Sequence, residues 1–108
     1  MLETMSLEIR DTPSPHHDSR REGGAISLII LHYTGTRTAQ EAADVYLGRV
    51  SDPAGRVAPH YMIDRDGTVY RFVEESRRAW HAGKSFWRGE RDMNSVSVGI
   101  ELVNPGHD

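Results

Sequence analysis

An imidazole and a carboxylate each close an apolar run in this sequence. His32 ends Ser27-Leu28-Ile29-Ile30-Leu31-His32, and Glu101 ends Val96-Ser97-Val98-Gly99-Ile100-Glu101. Strand ends of this kind build hydrolytic sites, with the imidazole as metal ligand and the carboxylate as base. Strand side chains alternate between faces, so Val96, Val98, Ile100 and Leu102 share one face while Ser97, Gly99 and Glu101 share the other. The carboxylate then stands on a small, polar floor with room above it. Carboxylates are seldom buried without a partner or a role, which favours a functional Glu101 over the bland reading of a rim salt bridge to Arg71 or Arg77. His32 falls where open α/β sheets place ligands; the plain alternative is a core histidine with a satisfied hydrogen bond. A catalytic zinc needs three protein ligands and an open position. The sequence runs only seven residues past Glu101, so the site is expected to be only partly encoded here.

Other residues could join the site. His60 and His81 would complete a triad with His32, although their spacing lacks the i, i+4 pairing that makes helical zinc motifs specific. The neighbours His16 and His17 are a poor metal pair, because adjacent side chains rarely point at one ion. Trp80, Phe86 and Trp87 lie in a stretch from Arg77 to Ser95 that shows no period and reads as a long loop. Flat rings there suit a groove wall that stacks on sugars or peptide planes.

The elements that must hold these groups follow from pattern. The near-continuous apolar run from Ser27 to His32 predicts a central strand buried on both faces by helices. Thr38-Ala39-Gln40-Glu41 matches a capping box and starts a helix whose apolar stripe is Ala39, Ala42, Ala43, Tyr46 and Val50, ended by Gly48 or by Ser51-Asp52-Pro53. His60 to Asp64 and Thr68 to Val73 flank Arg65-Asp66-Gly67 as an antiparallel hairpin. Residues 11 to 24 show no periodicity and read as an irregular lead-in.

At 108 residues the chain is at most one domain, with 13 basic and 16 acidic residues interspersed and a net charge of -3. That balance gives no electrostatic case for nucleic acid. Cysteine is absent, so neither a disulfide framework nor a thiolate ligand is available. The start carries an acid and no apolar h-region, and no run approaches the roughly 20 residues that span a bilayer. A cytoplasmic protein without membrane contact is expected.

Four segments in order carry a resemblance: Leu31 to Thr36, Ala58 to Tyr70, Ala79 to Gly83, and Asn94 to Gly106. Together they resemble the type-2 class of zinc-dependent N-acetylmuramoyl-L-alanine amidases, which shares its fold with peptidoglycan recognition proteins and phage amidase lysozymes. The resemblance runs from about Ile26 to Asp108. It implies an α/β fold with a mixed central β-sheet flanked by helices, incomplete at the C-terminus, with residues 1–24 as lead-in and 25–108 as the N-terminal portion of the amidase domain. By the same resemblance His32 matches a zinc ligand and Glu101 the catalytic acid that activates water. His60 and His81 match groove-lining positions and not ligands, with Tyr33, Thr34, Trp80, Trp87 and Asn94 as further substrate-binding residues. The family's other ligands and its catalytic lysine belong to a C-terminal motif that this sequence does not contain; His107-Asp108 matches an earlier segment. Some branches use a tyrosine before the position of His60, where Ala58-Pro59 stands here. The implied reaction is hydrolysis of the amide between N-acetylmuramic acid and L-alanine in peptidoglycan fragments. The implied setting is cytoplasmic recycling or prophage release, with muropeptides as partner and no protein partner. The alternative is a module that binds muropeptide without cleaving it.

Overall fold

The computed structural model describes residues 8–21, 25–51, 55–82 and 92–106. Its strands are β1 (Ile9–Asp11), β2 (His17–Ser19), β3 (Leu28–Tyr33), β4 (Tyr61–Ile63), β5 (Val69–Arg71), β6 (Arg77–Ala79) and β7 (Ser97–Leu102), with helices α1 (Ala39–Tyr46) and α2 (Met93–Val96). Five strands form one mixed sheet in the order β1-β5-β4-β7-β3, and β2 pairs antiparallel with β6 beside it. Within the sheet only β4 and β5 run antiparallel; β1 with β5, β4 with β7 and β3 with β7 are parallel. The mixed α/β architecture is the one expected.

Local chemistry explains the elements that were anticipated. Thr38 caps α1 by accepting from the Glu41 amide at 3.2 Å, and the helix closes at Gly48, whose φ of 77° suits a residue without Cβ. Val50 therefore lies beyond the helix and is exposed, not part of its stripe. The β4–β5 turn uses Gly67 at φ 90°, and the Asp66 carboxylate accepts from the Thr68 amide at 2.9 Å. Ala42 and Tyr46 of α1 pack against Met62, Phe72, Val73 and Val103, with Tyr46 and Phe72 edge to face at 5.2 Å. That cluster is the core, and it covers one face of the sheet.

Three expectations change. Among the described residues β3 is the outer strand of the sheet, not a central one, and Ile29, Leu31 and Tyr33 on its far face are 67%, 64% and 59% exposed. An apolar run reports that both faces of a strand are apolar; it does not report where in the sheet the strand lies. The lead-in is not wholly irregular, since β1 and β2 lie within it. Strands of three residues are too short to show alternation, and both are held by partners distant in sequence. The stretch from Arg77 to Ser95 is likewise not one loop, because β6 and the first turns of α2 belong to it. Among the described residues no helix is long and apolar enough to cross a membrane.

Arg20 ties the lead-in to the rest. Its Nε donates to the Glu75 carbonyl at 2.8 Å, Nη1 to those of Asn94 and Ser95 at 3.0 Å, and Nη2 to that of Ser97 at 2.9 Å. These are carbonyls around the end of α2, where a cation complements the helix terminus and few intrahelical partners exist. Arg20→Met is expected to lower stability by about 2–3 kcal/mol, because hydrogen bonds to a charged donor are lost and carbonyls are left unpaired. Arg20→Lys should recover little, since an ammonium cannot present the planar fork. Urea midpoints of the three proteins test this; a Lys variant as stable as the parent would refute the fork's role.

Candidate functional site

The parallel pairing of β3 with β7 sets Leu28 opposite Ser97, Ile30 opposite Gly99 and His32 opposite Glu101. Paired residues in adjacent strands share a face, so the imidazole and the carboxylate stand side by side on the face that α1 covers. Tyr33 falls on the opposite face with Ile29 and Leu31, because it is one residue on from His32. It is accordingly not a lining residue of the His32 site.

The room above Gly99 is filled. A Cβ at this position would lie 2.3–2.5 Å from the His81 ring, so the missing side chain is the seat of that imidazole. From this seat His81 Nδ1 lies 3.1 Å from His32 Nε2, and His81 Nε2 lies 3.0 Å from Ser97 Oγ. The rings of His32 and His81 meet edge to face at 5.3 Å, and those of His81 and His60 at 5.8 Å. Three histidines are thus in one row, but they do not converge on a point. Among the described residues no three histidine, aspartate or glutamate side chains are arranged to hold a metal.

His60 is fully buried. The Gly99 amide donates to its Nδ1 at 3.0 Å, and its Nε2 lies 2.8 Å from the Arg77 carbonyl. It bonds backbone on both sides, and its Nε2 also lies 3.1 Å from Arg20 Nη2, so its ring is enclosed among the described residues. Asn94 is also spent on backbone: its Oδ1 accepts from the His81 and Ala82 amides at 3.3 and 2.8 Å, and its Nδ2 donates to the Ala82 carbonyl at 3.1 Å. It places His81, with Oδ1 accepting twice and one Nδ2 hydrogen given to backbone. Thr34 links the end of β3 to the chain after β7, with its Oγ1 accepting from the Asn104 amide at 3.3 Å. Trp80 stacks on His16 with an interplanar angle of 8° and hydrogen-bonds Asp18, so it packs on the lead-in. Trp87 and Phe86, like His107, lie outside the described residues. His16 and His17 are not a metal pair: the first bonds the Val57 carbonyl through Nδ1 and the second accepts from Arg77.

Burial sets the charge states. The His81 pKa is pushed down to about 3, first by burial and then by the charges it would meet on His32, His60 and Arg20. Burial also lowers His32, and it lowers His60 against the opposing pull of the Arg77 carbonyl. The row is neutral at pH 7. Glu101 moves the other way, raised to about 7 by burial and held back in part by a hydrogen bond from the Tyr46 hydroxyl. Its Oε2 is buried and makes no hydrogen bond. Neither suspected ion-pair partner reaches it, since Arg71 pairs with Asp11 at 2.7 Å and Arg77 donates to His17 and Ser19. Tyr46 is the site residue that sequence reasoning counted only as core; a tyrosine closing an apolar stripe is the signal, because its polar tip needs a partner.

An imidazole and a carboxyl thus stand side by side at the C-terminal ends of parallel strands, where α/β sheets place ligands. The chain belongs to the N-acetylmuramoyl-L-alanine amidase family, whose model matches residues 22–108. It is 34% identical over 110 residues to the 1,6-anhydro-N-acetylmuramyl-L-alanine amidase AmpD of Citrobacter freundii, covering 88% of this chain and 58% of that protein. It is 33% identical over 100 residues to the N-acetylmuramoyl-L-alanine amidase AmiD of Escherichia coli K12, covering 82% of this chain and 34% of that one. A crystal structure of AmpD superposes with a TM-score of 0.80 at 31% identity, over 93% of this chain and 66% of that one. The AmiD structure in complex with anhydro-N-acetylmuramic acid-L-Ala-D-gamma-Glu-L-Lys gives 0.58 at 33% identity, over 75% and 32%. The chain thus spans less than two thirds of the length of these relatives.

The raised carboxyl carries a stability signature. Between about pH 4.5 and pH 7 the folded chain keeps the Glu101 proton that an unfolded chain releases, so this group makes stability fall as pH rises through that window. The accumulated cost above it is on the order of 3 kcal/mol. Glu101→Gln removes the term, so the variant should gain on the parent from pH 4.5 to 7 and hold that gain above. Comparing parent and variant cancels the histidine contributions. Parallel curves in urea titrations across this range would show an ordinary carboxyl.

Proposed function

We propose that this chain is the His32- and Glu101-bearing part of a zinc-dependent amidase that cleaves anhydro-muramyl peptides between N-acetylmuramic acid and L-alanine, in cytoplasmic recycling of wall fragments. The observation that carries the reading is the in-register pair of His32 and Glu101 on one face, with a buried carboxyl oxygen that no group among the described residues satisfies. The relatives named for this bond, and the AmiD complex with an anhydro-muramyl tripeptide, support the substrate class. The residues fit one ligand and one base of a zinc site: His32 is a neutral imidazole, and Glu101 is an acceptor placed beside it. Two further ligands must come from outside the described residues, and the resemblance puts them in the family's C-terminal motif.

Zinc, when bound, would polarise the scissile carbonyl and acidify the attacking water. Glu101 takes the proton of that water and delivers it to the leaving nitrogen of L-alanine. A carboxylate at the strand position beside His32 is placed for both transfers. Tyr46 holds the carboxyl in place through the attack. The closed row of His81 and His60 gives the site a dry floor.

The test compares this chain with one carrying the family's C-terminal motif, reading bound zinc by elemental analysis and release of L-alanyl peptide from an anhydro-muramyl peptide. The longer chain should hold one zinc and turn over, while the 108 residues alone should hold less than stoichiometric zinc and bind muropeptide without cleaving it. In the longer chain Glu101→Gln should keep zinc and lose about 10²–10⁴-fold in kcat, and His32→Ala should lose the metal. Full turnover by the Gln variant would move the base elsewhere.

A further inference from the structure

The contacts around His81 have a direction. Ser97 Oγ donates its hydrogen to the Met93 carbonyl at 2.6 Å, which leaves the hydroxyl only as an acceptor toward His81 Nε2, 3.0 Å away. His81 therefore carries its proton on Nε2. In a neutral ring Nδ1 is then a bare lone pair, and it accepts from His32 Nε2 at 3.1 Å. A neutral His32 with its proton on Nε2 has its own lone pair on Nδ1. Among the described residues nothing else bonds that nitrogen.

The relay is built into the backbone as well. Gly99 gives the His81 ring its seat. Asn94 fixes the amides of residues 81 and 82, and Ser97 is fully buried. Hydrogen bonds that hold the spare nitrogen of a ligating histidine set its tautomer and ring orientation. A carboxylate or a carbonyl does this as an anchored acceptor; here a second imidazole takes that place and is itself oriented by a hydroxyl.

We propose that Ser97 and His81 are positioning residues which fix His32 in the tautomer with Nε2 protonated, presenting Nδ1 as its metal-binding atom. The inference rests on the reading of His32 as a ligand, but the relay itself exists without metal. Its consequence for the chemistry is that the lone pair left for a ligand is on Nδ1. The proton count also forbids the opposite arrangement, in which His32 would be protonated on Nδ1 and present the wrong atom.

Side-chain nitrogen NMR on the zinc-free, uniformly 15N-labelled 108-residue chain tests the relay directly, because protonated and bare ring nitrogens resonate far apart. Both His81 and His32 should show protonated Nε2 and bare Nδ1, with Nε2 protons protected from solvent exchange. Ser97→Ala removes the distal acceptor, together with its bond to the Met93 carbonyl, and does not touch His32. It should nevertheless shift the tautomer balance of both rings together and speed exchange of the His32 proton by about fivefold or more, if each link is worth about 1 kcal/mol or more. His81→Asn, whose amide oxygen can stand near the position of Nδ1, should keep the His32 proton protected, and His81→Leu should lose it. Protonated Nδ1 on His32, or a Ser97→Ala chain whose His32 signals are unchanged, would overturn the proposal. Either result leaves the zinc reading standing, whereas failure of the longer chain to bind zinc would sink that reading and leave the tautomers as they are.

Discussion

The six-residue parallel pairing of β3 with β7 is the constraint on which the site depends. Its register puts His32 beside Glu101 and Ile30 beside Gly99. A slip of one residue would turn each side chain of β3 to the other face, sending the imidazole to the exposed side and Leu31 or Tyr33 inward. Both faces of β3 are apolar enough that hydrophobic burial alone discriminates weakly between the two registers. Discrimination comes from polar pairing at the strand end. The Thr34 amide donates to the Leu102 carbonyl and the Gly35 amide to that of Asn104, and the Thr34 hydroxyl ties into Asn104 as well. Thr34 is thus a register lock, and its place in the family's segment has a mechanical reason.

Behind the pair lies a floor made of imidazoles. His60 is buried and His81 half-buried, and both are neutral with backbone, hydroxyl or imidazole partners, so they bring polarity without charge. A charged floor would compete with the site for the carboxylate; an apolar one would leave His32 without an acceptor for its second nitrogen. Glu101 is on the opposite footing, buried with one oxygen unanswered. The fold holds that oxygen in place through α1, since Tyr46 belongs to the core cluster and to the carboxyl at once. Such local conflict between stability and arrangement is what sites of this sort display.

The legible part of the sequence was the part governed by period and by turn chemistry. Alternation placed Ser97, Gly99 and Glu101 on one face, the Thr38 cap began α1, and Gly67 made the hairpin. His32 was legible as a strand-end group. The roles of His60 and Asn94 were not, because each side chain bonds main-chain atoms, and nothing in residue type tells a groove amide from one that pins a neighbouring loop. Resemblance kept them near the site, and the structure adds the backbone groups they hold. Arg20 left no signal at all: a single arginine in an aperiodic stretch becomes a four-carbonyl clamp only once α2 and β7 are in place. β1 and β2 were missed for the related reason that three residues carry no period.

The outer position of β3 links the site to association. Among the described residues its far edge has no neighbouring strand, and its outward side chains are Ile29, Leu31 and Tyr33. An open edge that is also apolar is a template on which another strand can add. A strand added there would become the next neighbour of His32, on the side away from Glu101. Strand pairing at that edge and access to the site would therefore draw on the same strip of backbone.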